Sequence, residues 1–328
     1  MSYSTPHRSE HLVVAPSEDP ERFDSLAVDC PFVFTVDGRR GMTLVGWDGV
    51  GYQTGLCWEQ ADGSWSVPEL VFPRQQDVPH RRYNTAITSL LRENGLRSEG
   101  RLLQVDGHYV ATFHAYPSPG YESGPGVIGF ARSTDLRSWE EFGPLIRPEE
   151  GGEWEQGGLY KSWIMRAQGR YWLFYNAKTT ERRWHEQTGA AVSDDLLSWQ
   201  RVSAEPLLPH GGEGAVDEWF ASDPCVLEDE EAGRWVMFYF GLQTGGHARD
   251  LYATSPDLLH WTKGEEVLLD VGPAGSVDEV HAHKPAVIAR DGALEHYYCA
   301  VSRRSTPLVL NGVTQPELRG IAVARERP

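Results

Sequence analysis

Hydrophobic positions in this chain fall in short bursts, not in long stripes. Five aromatic-rich runs stand out: MTLVGW at 42–47, HYVATFHAY at 108–116, RYWLFYNA at 170–177, RWVMFYFG at 234–241 and ALEHYYCAV at 293–301. Each follows a glycine turn, at Asp37-Gly38, Asp106-Gly107, Gln168-Gly169, Ala232-Gly233 and Asp291-Gly292. Those glycines are 69, 62, 64 and 59 residues apart, so the chain reads as five units. Asp-Gly between β-rich runs predicts a hairpin, because a type I′ turn needs positive φ at both central residues. The best helix candidate is 83–94 (YNTAITSLLREN), and its Thr and Asn content makes it a weak one.

A second phrase alternates with the first. It reads Ser133-Thr-Asp-Leu-Arg-Ser-Trp139, Ser193-Asp-Asp-Leu-Leu-Ser-Trp199 and Ser255-Pro-Asp-Leu-Leu-His-Trp261, at offsets of 60 and 62 residues. Degenerate copies lie at 54–65 (TGLCWEQADGSW) and 319–328 (RGIAVARERP). Ser and Asp at these positions predict a tight turn in which side chains satisfy backbone amides. The Trp then opens an outer strand. Four antiparallel strands per unit cannot bury both faces alone, so the units must stack on one another. Radial stacking of such sheets gives an all-β fold, a five-bladed β-propeller in a single domain over 1–328. Residues 1–10 are expected to be a flexible tail. The last unit runs out after its third strand, and His11-Leu-Val-Val14 is expected to supply the fourth and close the ring.

Charge narrows the partners. With 30 Lys and Arg against 47 Asp and Glu, the formal net charge of −17 argues against a nucleic-acid backbone and against anionic membrane surfaces. No apolar run approaches a membrane span, and the start shows no secretory signal pattern, so a cytoplasmic protein is expected. The four cysteines are far apart and sit beside apolar residues, as buried reduced thiols do.

Chemistry is expected where the inner strand of each blade lines the channel. The approaches to the five glycine turns carry Asp29; Arg92, Glu93 and Glu99; Glu153, Glu155, Tyr160 and Lys161; Asp217, Glu218 and Asp223; and Asp278, Glu279, His281, His283 and Lys284. Asp29 (Asp-Cys-Pro) and Asp223 (Asp-Pro-Cys) make the sharpest pair, since a carboxylate buried at a strand mouth is costly unless paired or used. Period two puts His281 and His283 on one strand face and Lys284 on the other. Without a third ligand nearby, a hydrogen-bonding role for His283 is preferred to a metal site. Trp184-His185-Glu186-Gln187 and the 117–125 segment (PSPGYESGP) read as ligand-facing loops.

The repeated Ser-x-Asp-Leu-x-x-Trp phrase, the YWLFY and WVMFYFG strands and the Asp-Pro signature resemble the five-bladed propeller glycosidases, the group of glycoside hydrolase families 43, 32, 117 and 130. The stretches GGLYKSW, FASDPCVL, AHKPAVI and HYYCAV are similar to bacterial members of that group. The resemblance covers about residues 20–328 and implies a glycosidase acting at the end of a small glycan or glycoside. It implies a trio of acids: Asp29 as base or nucleophile, Glu93 or Glu99 as modulator, and Glu155 as acid. Asp223 resembles the modulator motif but falls in the fourth unit. The catalytic set is thus Asp29, Asp223 and Glu155. Trp47, Asp48, Arg92, Glu93, His114, Tyr160, Lys161, Trp184, His185, His281, His283 and Lys284 are the candidates for substrate binding. No cofactor is required. The resemblance leaves a place for a channel Ca2+, with His283 as its candidate ligand. Three other readings stay open: a family 130 phosphorylase with Lys161, Lys284, Arg92 and His283 as its anion site, a non-catalytic binder of carbohydrate or protein, and a propeller recruited to biosynthesis. The sugar, the linkage, the anomeric outcome and the oligomeric state are open at this stage.

Overall fold

The computed structural model describes residues 3–120 and 123–327; Tyr121 and Glu122 of the 117–125 segment lie outside the described residues. Apart from three short 3-10 turns, the elements are strands. The first sheet is an antiparallel meander of Ala27–Val36, Arg39–Trp47, Tyr52–Trp58 and Glu69–Phe72. The pattern repeats with inner strands at Ala86–Leu90, Gly158–Ala167, Phe220–Asp229 and His281–Arg290, each followed by hairpin-linked neighbours. Neighbouring sheets pack through a shared apolar core that includes Phe34, Phe113, Trp163, Phe174 and Phe238. Fully burying one such side chain contributes about 1.5–3 kcal/mol.

Both turn predictions hold in detail. Asp37, Asp106, Gln168 and Asp291 have φ of 49°, 49°, 52° and 49°, and each following glycine is also positive, as a type I′ turn requires. At Ala232-Gly233 only the glycine is positive, and the loop is longer. In the Ser-x-Asp-Leu-x-x-Trp turns the Ser255 hydroxyl accepts from the amides of Asp257 (3.2 Å) and Leu258 (2.9 Å). Asp257 Oδ1 accepts from Leu259 and His260, and the Trp261 indole donates to the Leu258 carbonyl. Ser133 and Ser193 repeat this set. The Trp reaches the preceding sheet: Trp199 stacks on Phe130 with centroids 5.0 Å apart.

Three expectations are corrected. Residues 83–94 form no helix, because Ala86–Leu90 is the inner strand of the second sheet, paired with His108–Ala115 and buried at all five positions. A run buried on both faces carries no periodicity to separate strand from helix. The first residues are not a tail. Tyr3 is buried, donates to Asp229 (2.7 Å) and meets Phe238 edge-on, while His7–Arg8 pairs with Arg325 and Ala324. Of residues 11–14, only Val14 bridges that strand, at Ile321. The chain leaves the ladder after Ser9 and returns at Val13, so the pairing strand lies earlier than expected.

The third correction decides where the site can be. After Leu90 the second sheet's inner strand breaks off, and residues 91–103 cross to the other sheets before Gln104–Val105 resumes the pairing. The excursion hydrogen-bonds to Thr35 in the first sheet, Glu228 in the fourth and Ala289 in the fifth. Residues 94–102 thus plug the end of the axis where the glycine turns lie. Arg92 is buried there, donating to the carbonyls of Val33 and Val287 (2.7 Å for the latter), and Glu93 pairs with Arg101. Neither reaches the opposite end.

Candidate active site

At the other end every inner strand carries one extra residue against its partner. The register slips between Asp29 and Phe32, Ile87 and Ser89, Tyr160 and Ser162, Ser222 and Cys225, and His283 and Ala286. Such a bulge bends the strand and re-aims its side chains. Cys30, Lys161, Asp223 and Lys284 sit at these bulges with φ of 46°, 34°, 58° and 64°. Positive φ is uncommon for residues with a Cβ and costs about 1–2 kcal/mol each. Proline follows three of them, at Pro31, Pro224 and Pro285, and so leaves no amide unpaired where the ladder is broken. At the third, the Ser162 amide finds the Thr88 hydroxyl of the neighbouring sheet instead (3.2 Å).

The bulges of the third, fourth and fifth sheets border a cavity of about 140 Å3 whose wall includes Tyr160, Glu186, Asp223, His283, Lys284 and Arg319. Sites that enclose a drug-sized ligand run about 300–1,000 Å3, so this hole suits one ring-sized unit. A larger groove of about 430 Å3 runs between Pro79, Pro117 and Pro148, where Glu149 is the one acid in its wall among the described residues. Chemistry, not volume, singles out the smaller cavity.

Two buried carboxyls beside it are pushed in opposite directions. Asp29 is desolvated, which disfavours its charge. Lys284 Nζ at 2.8 Å and Arg319 Nη1 at 3.3 Å, both on Oδ2, outweigh that and hold the carboxyl well below the usual range. Its other oxygen accepts the Cys30 amide (2.8 Å). Asp223 is pushed upward, chiefly by burial and also by the charge of Asp29, against the opposing pull of Lys284, Lys161 and Asn176. Asn176 brackets it, donating from Nδ2 to Oδ1 and accepting the Asp223 amide on its own oxygen (2.6 Å). Asp223 Oδ2 is buried with no hydrogen-bond partner among the described residues. The proton of the neutral form therefore belongs on Oδ2.

Glu186 is the carboxylate that sequence reasoning missed, although the adjacent Trp184 and His185 were candidates. It opens the third strand of the third sheet, lies opposite Lys178 in the ladder, and accepts from the Ser222 hydroxyl (2.7 Å) and the Trp184 indole (3.0 Å). The same Ser222 oxygen is 3.4 Å from Asp223 Oδ1, so the Glu186 and Asp223 oxygens it joins are no more than about 6 Å apart. Arg319 was also missed. It comes from the long strand Val313–Arg325 of the fifth sheet, where the sequence offers only a degenerate repeat.

The remaining candidates separate cleanly. Tyr160, His281, His283 and Lys284 line the cavity with Asp223. His114 lies behind it, accepting the Lys161 amide on Nδ1 (3.1 Å), and burial with Lys284 and Lys161 nearby pushes it down to about 3. Trp47 is grouped with Tyr52, Tyr116 and Tyr160, and His185 stacks on His210 at the rim. Three expectations fail. Glu155 does not line the cavity. Burial raises it, and its oxygens accept from Tyr175 (2.5 Å) and Arg201 (2.8 Å), which makes it a brace between the third sheet's elements. Asp48 is bound to Arg74 and caps its own loop through the Val50 amide (3.0 Å). Arg92 and Glu93 belong to the opposite end.

A channel Ca2+ does not fit these residues. The ion needs six to eight oxygens with carboxylates among them. Here Lys284 and Arg319 already occupy Asp29, Lys161 stands in the same layer, and His283 Nδ1 is turned to the Cys299 carbonyl (3.1 Å).

Sheets stacked about an axis, with acids whose pKa values are pushed in opposite directions at one end, define a propeller-like protein of the glycosidase group. The protein belongs to the family described as the glycosyl hydrolases family 32 N-terminal domain, which its residues 99–281 match. It is 30% identical over 171 residues to a levanase of Bacillus subtilis (strain 168), a stretch that is 51% of this chain and 24% of the levanase. It therefore spans about a quarter of that relative's length. Among solved structures, one titled "Glycoside hydrolase" superposes with a TM-score of 0.82 at 25% identity, covering 99% of this chain and 92% of the other. A glycosyl hydrolase from Bacteroides ovatus shares the fold at a TM-score of 0.68 and 15% identity, over 98% of this chain and 94% of its own.

Proposed function

We propose that this chain is a single five-bladed propeller, closed by pairing of His7–Arg8 with the last strand, that hydrolyses a glycosidic bond at the end of a small glycan or glycoside. Asp223 is the general acid: raised by burial, it keeps its proton on Oδ2 for the leaving oxygen. Glu186 is the carboxylate that meets the anomeric carbon. Their common contact with Ser222 carries the reading, because it keeps one oxygen of each within about 6 Å, nearer the about 5–5.5 Å of a retaining pair than the about 6.5–9.5 Å of an inverting one. The mechanism is then retaining. Glu186 forms a glycosyl ester as Asp223 gives its proton to the departing group, and the Asp223 carboxylate takes a proton from the water that cleaves the ester. Asp29 is a positioning residue that fixes Lys284 and Arg319. The four buried cysteines, none in a disulfide, support a reducing compartment, and among the described residues no helix is long and apolar enough to cross a membrane.

A purely binding propeller gains nothing from pushing neighbouring acids in opposite directions, and the phosphorylase reading loses Arg92. The test is kcat of wild type, Asp223→Asn and Glu186→Gln on aryl glycosides of graded leaving-group pKa. Removing a general acid costs about 10²–10⁴-fold, and the loss grows with leaving-group pKa. Full turnover in both variants refutes the assignment, and inversion of the anomeric centre, read by NMR, refutes the Glu186 ester.

A further inference from the structure

The cavity wall holds donors that neutral sugar recognition does not require. Lys284 and Arg319 reach the same Asp29 oxygen, so two cations converge on one carboxylate. His281 accepts the Ala248 amide on Nδ1 (3.0 Å), which places its proton on Nε2. His283 makes the opposite choice. Its Nδ1 faces the Cys299 carbonyl, so Nδ1 carries the proton and Nε2 is an acceptor. Burial, with Arg319 next, pushes His281 down to about 4, and burial, then Lys284 and Arg319, hold His283 well below its usual value. Beside these imidazoles Lys284 and Arg319 put two cations into one wall of the cavity, inside a chain whose net charge is −17.

Resting on the glycosidase reading for the identity of the cavity, we propose that the sugar unit it accepts carries a carboxylate, as a uronic acid does, held by Lys284, Arg319 and the Nε2–H of His281. A guanidinium and an ammonium side by side suit a carboxylate's two oxygens. His283 Nε2 is placed to accept from a ring hydroxyl.

The experiment compares matched pairs of 4-nitrophenyl glycosides, each uronide against its neutral hexoside, on wild type, Arg319→Met and Arg319→Lys. Calorimetry with glucuronate, galacturonate, glucose, galactose and inorganic phosphate runs beside it, and thermal unfolding confirms that the variants fold. The expected result is at least about a tenfold preference in kcat/KM for one uronide, lost in Arg319→Met and partly restored in Arg319→Lys. Neutral hexosides cleaved equally well, with a ratio that Arg319→Met leaves alone, overturn the inference while the hydrolase reading stands. Uronate binding that needs Arg319, without turnover of any glycoside, upholds the inference and removes the hydrolase reading. Phosphate binding more tightly than either uronate, or no binding and no turnover, overturns it.

Discussion

Replacing Lys284 by Met removes one charge and keeps an unbranched side chain of similar length at a position whose φ is 64°. Lys284 Nζ is 2.8 Å from Asp29 Oδ2, and both side chains are buried. Breaking a buried ion pair from one side typically costs about 3–5 kcal/mol, because the other charge is left without its partner. Arg319 remains 3.3 Å from the same oxygen, so the lower end, about 3 kcal/mol at pH 7, is expected. The sign of the pH dependence is the sharper test. In the wild type Asp29 is depressed, so its contribution is present above the ordinary carboxylate pKa of about 3.9 and is lost only as pH falls through its lower folded value. In Lys284→Met burial is opposed by less positive charge, the folded pKa moves up, and Asp29 takes its proton at a higher pH than in the wild type. The gap between the proteins must therefore narrow as pH falls from 7 towards 3, by up to about 1.4 kcal/mol for each unit separating their pKa values. Urea unfolding followed by tryptophan fluorescence at several pH values measures it. The double variant Asp29→Asn/Lys284→Met should be less destabilised at pH 7 than Lys284→Met alone. A gap that is the same at pH 3.5 and 7, or a cycle additive to within about 0.5 kcal/mol, refutes the coupling.

Glu155→Gln should destabilise by about 2 kcal/mol, since Arg201 loses its charge partner, and leave kcat unchanged; a collapse of kcat with normal stability would return Glu155 to the site. Ser255→Ala should lower stability by about 1 kcal/mol by removing the acceptor for two turn amides, read as a shift in thermal midpoint without loss of turnover. Chelation with EDTA followed by added Ca2+ should change neither thermal midpoint nor kcat, because lysine and arginine stand where the ion would need oxygens; a Ca2+-dependent rise in midpoint would contradict the fit.

What could be read from the chain follows from how local each device is. The Asp-Gly hairpins and Ser-x-Asp-Leu-x-x-Trp turns are complete within seven residues, so their spacing carried the repeat. Asp29, Asp223 and Lys284 were legible because an ionisable residue one or two positions before proline inside an apolar strand is a local contradiction. The rest needed partners distant in sequence. Ala86–Leu90 looks helical until a neighbour on each face is known, and once it is a strand, Arg92 and Glu93 must pass to the plugged end. Glu155 looked catalytic because it is a buried acid before an inner strand, but Arg201, 46 residues on, claims it. Glu186 lay on a third strand, where no inner-strand rule looks, and only its bond to Ser222 reveals it.

The features that stabilise least gather in one layer. Four residues with side chains sit at positive φ on inner-strand bulges, two are lysines and one is a carboxyl that burial pushes upward, all within a core of aromatic strands. Strain of this kind persists only where the surroundings over-determine it. Here they do, through proline at three bulges and the Thr88 hydroxyl at a fourth. A protein needing only stability would place valine in an unbroken ladder at each position. The bulge instead turns a strand residue towards the axis, and its repetition brings side chains from separate sheets to one point. Acid, base and cations then differ from sheet to sheet while the backbone that presents them stays the same. That division explains how local rules broken at the same place in each unit can coexist with a regular fold, and why the breaks mark the site.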